Sequence, residues 1–247
     1  MEVTEFSYLY HSIETYKGEY LYQDVLIPWI PKATQIVSML QVYGQLDAMK
    51  WYKEEKEKDL WGLYALSRIS DLLLLSFQVP NGDQVIKEIR RITGLELRRP
   101  MIQLADYEQF FSALGMQCIP PTKYHPFFHE IVEVEQTEDP WEPITLVETQ
   151  WPGFMLHHML FSRAGVKVRG GTNAIRKDIA ERSTLYFAFV RSNRLTSDLS
   201  HGWGHNSQWR TPFRRDYEDN IAFYYILAHE GGTYCCTSSL REKPEFA

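Results

Sequence analysis

Seven of the eight histidines fall after residue 120: His125, His129, His157, His158, His201, His205 and His229. Imidazole titrates nearest neutrality of all side chains, so histidines gathered in one half of a chain are the first candidates for proton transfer or metal ligation. Two pairs stand four residues apart, His125/His129 and His201/His205, a spacing that presents two imidazoles to one ion from a single helix face. Their neighbours argue against that geometry. Pro126 biases His125 away from helical backbone, and Gly202 and Gly204 weaken any helix through His201 and His205. Neither pair has the Glu that directly follows the first His in a zinc protease. A loop can still bring His201 and His205 together, with Glu230 as a third ligand, which makes them the alternative catalytic or metal site. The main expectation is no metal and no cofactor.

The stretch His201 to Tyr217, HGWGHNSQWRTPFRRDY, sets Trp203 and Trp209 among Arg210, Arg214 and Arg215. Guanidinium groups bind carboxylates or phosphates in bidentate fashion, and aromatic faces stack on bases or on guanidinium itself. Upstream, VRGGTNAIRKD (Val168 to Asp178) has Gly170-Gly171 before an expected short helix, with Thr172 and Asn173 as candidate caps and Arg169, Arg176 and Lys177 nearby. Exposed backbone N–H groups at such a turn attract anions. No GK[ST] follows, so this is no Walker motif. Arg169, Arg176, Trp203, Trp209, Arg210, Arg214 and Arg215 form the alternative anion site, for a phosphate-bearing or nucleic-acid ligand.

Nucleophilic catalysis finds little in the chain. There is no GxSxG, and the three cysteines, Cys118, Cys235 and Cys236, have no CxxC spacing. Cys118 reads as a free core thiol. The acidic run HEIVEVEQTEDPWE has its carboxylates at strand spacing on an outward face, which suits a docking surface better than a buried acid/base pair. Between residues 121 and 160 there are seven acidic residues against Lys123 alone, whereas Arg163 to Arg215 holds 11 basic against three acidic. The acidic side, Glu130, Glu133, Glu135, Glu138, Asp139 and Glu142, is the expected partner face, with Trp141 or Trp151 as its aromatic anchor.

The elements that must position these residues follow from periodicity. Pro31 marks a helix start, and Ile36, Val37, Leu40 and Tyr43 recur at helical spacing before Gly44. MKWYKEEKEKDLW suits an exposed helical surface. Leu60, Leu63, Leu66, Ile69, Leu73 and Phe77 line one side of a helix, and the Leu72–Leu75 block requires it to be largely buried. Asn81-Gly82 predicts a turn, Gln84 to Arg91 a short helix ending near Gly94, and Asp106 with Gln109 a capping box on a helix stopped by Gly115. After Pro120-Pro121 the pattern turns to strands: His129–Glu135, with Val132 and Val134 on one face, then 144–149, 184–191 and 221–227.

The fold class expected is α+β, a helical N-terminal region packed against a mostly antiparallel C-terminal sheet. The chain reads as a single domain over 1–247, subdividing if at all into 1–118 and 122–247. Hydrophobic residues make up 44% of the 247, charged residues 23%, and 14% are aromatic, so neither wholesale disorder nor a low-complexity chain fits. The N-terminus lacks the basic start and apolar run of a signal peptide. The longest uncharged stretches, such as 33–46 and 149–162, are too short and too polar to cross a bilayer. The expected protein is soluble and cytoplasmic. It binds and inhibits a protein partner through an acidic, aromatic-rich surface, as an immunity protein neutralising a basic toxin would. The alternative is an enzyme or binder of a phosphate-bearing or nucleic-acid ligand through the 201–215 loop.

Overall fold

A computed structural model describes residues 4–49, 57–78, 100–120, 123–183, 191, 213–228 and 234–240. The first helix, α1 (Thr4–Thr15), buries Phe6, Leu9, Tyr10 and Ile13. That i, i+3, i+4, i+7 stripe is what an amphipathic helix needs to pack on one side. It lies against α3 (Glu57–Leu74), whose Leu60, Leu63, Leu66, Ile69 and Leu73 are all buried, as the periodicity predicted. Leu72 to Leu75 are buried together. Each such leucine contributes about 1.5–3 kcal/mol by leaving water.

Pro31 does not open a helix. It lies inside α2 (Ile27–Leu40), and helical backbone continues back through a π turn over Tyr22–Leu26. Pro28 and Pro31 therefore both lie within continuous helical backbone, where each lacks the N–H that would pair with the preceding turn; the wider π turn just before Pro28, closed by the Ile27 N–H on Tyr22 O, lies where that ladder is interrupted. A 3-10 turn over Gln41–Gly44 ends the segment. The capping box expected at Asp106 is also absent. The fourth helix, α4 (Leu104–Ala113), is capped at Gln103 without a side-chain bond, and Asp106 instead lies within the first turn, where its charge meets the positive end of the helix dipole. Gly115 does end α4. At φ +83° it gives its N–H to Ser112 O while Met116 N–H reaches Phe111 O, a pairing that requires left-handed backbone.

Two sheets follow. The larger has six short strands in the order β1 (Gln117–Cys118), β4 (Phe154–Leu156), β5 (Met159–Ser162), β7 (Asp216–Glu218), β8 (Ala222–Ala228) and β9 (Tyr234–Leu240), all antiparallel. The smaller has three: β2 (His129–Gln136) parallel to β6 (Ala164–Gly170), and β3 (Thr145–Trp151) antiparallel to β6. The fold is therefore α+β. Its largest apolar cluster joins the helices to Trp151, Phe154, Leu156, Met159, Phe161 and Tyr217, so one core spans both sides of Pro120-Pro121. There Phe111 of α4 meets Phe154 and Phe161, Tyr107 meets Phe154, and Tyr107 and Phe110 both pack on Phe111, with ring centroids 5.1–5.7 Å apart.

A bulge changes the faces of β2. The register with β6 shifts between Ile131 and Glu133, so Val132 has no opposite residue. Ile131 and Val134 thus share one apolar layer with Val166 and Val168, while Val132 packs against the main core. The expected pairing of Val132 with Val134 on one face fails because one extra residue reverses the alternation. Both edges of this small sheet are blunted. β3 carries two register shifts. On β2, Glu181 Oε1 accepts the Val134 N–H at 2.9 Å, and Lys177 Nζ donates to the Val134 carbonyl at 3.1 Å.

The turn at 81–82, the helix at 84–91 and most of the strand expected at 184–191 lie outside the described residues. Arg191, the one described residue of that last segment, has helical backbone. Among the described residues no helix is long and apolar enough to cross a membrane.

Candidate functional site

The end of the small sheet from which β2 and β6 emerge carries the most exposed aromatic side chain described. Thr137 leaves β2, and Asp139-Pro140-Trp141-Glu142 makes a turn closed by the Glu142 N–H on Asp139 O at 3.2 Å. Asp at the first position and Pro at the second are the residues such a turn favours, because Pro presets φ and Asp bonds backbone two residues on. Asp139 Oδ1 does accept the Trp141 N–H, at 2.9 Å, and Thr137 Oγ1 donates to Asp139 O at 3.1 Å. The loop after β6 braces the other side: Gly171 N–H reaches Glu142 O and Asn173 N–H reaches Pro140 O, both at 2.9 Å. Gly171 is required for that approach, since a Cβ there would collide with the carbonyl oxygens of Asp139 and Pro140. Five hydrogen bonds thus fix a short turn whose Trp141 is 78% exposed.

Charge divides along the same sheet. Glu133 stands opposite Lys167 and Glu135 opposite Arg169 in the β2–β6 ladder, and both pairs close, at 3.0 Å and 3.1 Å. The Arg169 hydrogen bond and charge hold the Glu135 carboxyl below its ordinary range, and Glu133 raises Lys167 in the same way. Glu138, Asp139 and Glu142 around Trp141 form no ion pair among the described residues, whereas Glu148 on β3 stands opposite Lys167 and adds to the charge that raises it. The unneutralised carboxylates are therefore concentrated at the Trp141 end, with exposed Val147 nearby in sequence on β3.

Two residues expected on the partner face are not on it. Glu130 is buried, and its carboxylate receives Arg191 Nη1 at 2.8 Å. Arg191 Nε donates to Asp71 Oδ1 at 2.8 Å, and Arg68 Nη1 to Asp71 Oδ2 at 2.6 Å. Burial opposes the charge on Arg191, but the Glu130 and Asp71 carboxylates outweigh it and hold the guanidinium above its ordinary pKa. Trp151 is fully buried and lies beneath the same guanidinium, 5.5 Å from its ring centroid. Its ring occupies the space where a side chain at Gly165 would sit. The acidic run as a whole suggests an outward Glu130, but along β2 it alternates with Ile131 and shares the face of Val132, which packs on the main core; Arg191, 61 residues away, supplies the charge that lets it be buried there.

The anion-binding expectation is met by cations already engaged. Arg169 is paired with Glu135, and Arg176 binds Asp178 at 2.7 Å. Arg214 and Arg163 share the buried carboxylate of Asp216 at 3.0 Å and 3.3 Å. Arg215 is itself buried, with Nη1 donating to Ala48 O at 3.0 Å. Thr172 and Asn173 do not cap the short helix α5 (Lys177–Ala180); Arg176 occupies the cap position, and Gln136 Oε1 accepts the Lys177 N–H at 3.2 Å. His201, Trp203, His205, Trp209, Arg210, His229 and Glu230 lie outside the described residues.

The other histidine pair is spent on local structure. His129 is buried, its Nδ1 accepts the His125 N–H at 2.9 Å, and His125 Nδ1 accepts the Phe127 N–H at 3.1 Å. Burial pushes the His129 imidazole below its ordinary pKa. No group of three His, Cys, Asp or Glu side chains suited to a metal occurs among the described residues. Cys118, expected in the core, is exposed on the two-residue strand β1. Partial desolvation and the Glu108 carboxylate raise its thiol pKa, the reverse of what a nucleophile needs. Comparison of the chain with protein-family models, with curated proteins and with solved structures returns no match.

Proposed function

We propose that this chain is a non-catalytic protein-binding protein of the cytosol, and that the Trp141 turn with Glu138, Asp139 and Glu142 is its docking surface. The observation that carries the reading is a tryptophan 78% exposed on a turn whose backbone is fixed by five hydrogen bonds. Exposing an indole to this degree forgoes roughly 100–200 Å² of burial, and rigid aromatic side chains of this kind anchor interfaces at low entropic cost. The surrounding carboxylates select a basic partner and speed its approach. Glu133 and Glu135, already paired, contribute little net charge, and Glu130 none at the surface. An inhibitor of a basic toxin, in the manner of an immunity protein, is the specific form of this reading that uses the same surface.

The test is native mass spectrometry of the protein purified gently from its own host. A basic protein should accompany the wild type, and Trp141→Ala and Glu142→Lys should each reduce its recovery at least about tenfold, the loss of one interface anchor. Undiminished recovery with both variants would overturn the assignment.

A further inference from the structure

Resting on that reading, we infer that the Trp141 turn is a receptor for a guanidinium group, so that the partner presents an arginine side chain rather than a lysine. The chain itself shows a cation shared by an indole and a carboxylate twice, once with a guanidinium inside and once with an ammonium at the surface. In the interior the Arg191 guanidinium lies over the Trp151 ring while its N–H groups reach the carboxylates of Glu130 and Asp71. On the surface Lys32 Nζ lies 4.8 Å from the Trp29 ring centroid and pairs with Glu5. In both places one cation satisfies an indole face and a carboxylate together. The Trp141 turn supplies the same two groups at neighbouring chain positions: Trp141 is exposed, and Glu138, Asp139 and Glu142 flank it in the chain.

Arginine suits this site better than lysine for a geometric reason. A planar guanidinium lies flat on an indole while its in-plane N–H groups point outward to more than one carboxylate, whereas an ammonium is a point charge that keeps its hydration. Asp139 spends one carboxylate oxygen on the Trp141 N–H, which orients its acid at the base of the turn. Glu138 and Glu142 remain to receive the partner.

The probes are acetyl-tetra-arginine amide and acetyl-tetra-lysine amide, titrated into the full chain labelled with 15N. The seven tryptophans give separate indole N–H signals, and Trp141→Phe identifies the one concerned. Tetra-arginine should shift the Trp141 indole and the 138–142 amides and bind about two- to fivefold more tightly than tetra-lysine, the scale of an exposed cation–π contact. Trp141→Leu should remove that preference, and Glu138→Gln with Glu142→Gln should weaken both peptides. Unchanged dispersion of the remaining signals shows that these surface variants are folded. Equal binding of both peptides at the turn would overturn the guanidinium preference and leave a basic partner standing. Shifts elsewhere, or none, would overturn the receptor itself, while partner recovery from the host decides the docking reading separately.

Discussion

Replacing Arg191 with methionine should destabilise the protein by about 3–5 kcal/mol, the cost of breaking a buried ion pair from one side. The structure says which charge is stranded. Arg191 joins Glu130 and Asp71, and the side chains of Arg191 and Glu130 are 7% and 4% exposed. Asp71 keeps Arg68 at 2.6 Å, so the loss falls on Glu130, which is left buried without its cation. For a chain of this length the loss lowers the melting midpoint by about 6–20 °C. Glu130→Met alone should be destabilising as well, since it leaves the guanidinium with one carboxylate fewer. The double variant should recover at least about half of the summed loss, because methionines of similar volume replace the pair without a stranded charge. Urea unfolding followed by circular dichroism, run as a double-mutant cycle, measures the coupling, which should be at least about 2 kcal/mol. Glu135→Ala, which breaks the half-exposed pair with Arg169, is the control and should change stability by less than about 1 kcal/mol. A loss under about 1 kcal/mol for Arg191→Met, or strict additivity in the cycle, would show that the four charges are not a buried, mutually satisfied group.

Gly171→Ala should cost about 1–3 kcal/mol, because the new Cβ meets the Asp139 and Pro140 carbonyls and must push the turn aside. It should weaken partner recovery in step with Trp141→Ala, which itself leaves the melting midpoint unchanged; retained binding by a destabilised Gly171→Ala would detach the brace from the site. Burial holds the His129 pKa below 6.5, so the unfolded chain takes up its proton first as pH falls. Its contribution to stability is full above that value and is lost as pH drops through it. His129→Gln should therefore flatten the slope of stability between about pH 7 and pH 5 by up to one proton, read from urea midpoints at several pH values; an unchanged slope would show that His129 is not the group responsible.

Local rules were legible along the chain wherever one residue type has one job. Gly115 had to stop a helix because only left-handed backbone closes that end, and the leucines of α3 had to face inward because they repeat at helical spacing. Asp139-Pro140 carries a turn signal too, although the expectation for this segment is only an outward acidic face. The acidic segment was visible as a run of charge, and Trp141 within it as a candidate anchor.

What composition and spacing could not decide was which charges find partners. Glu130, Glu133, Glu135, Glu138 and Glu142 look alike in sequence, yet the first is buried against Arg191, the next two are paired across β6, and the last two stand unneutralised beside Trp141. The difference depends on register and on residues 34 to 61 positions away. A single bulge at Val132 turned alternation over and moved the face of every residue beyond it. Trp141 and Trp151 likewise differ by ten positions and by nearly the whole range of exposure, because one sits on a braced turn and the other fills the space above Gly165. Local sequence sets the conformation of a turn or a helix end through short-range sterics, but burial and ion pairing are settled only when distant strands bring their partners within reach.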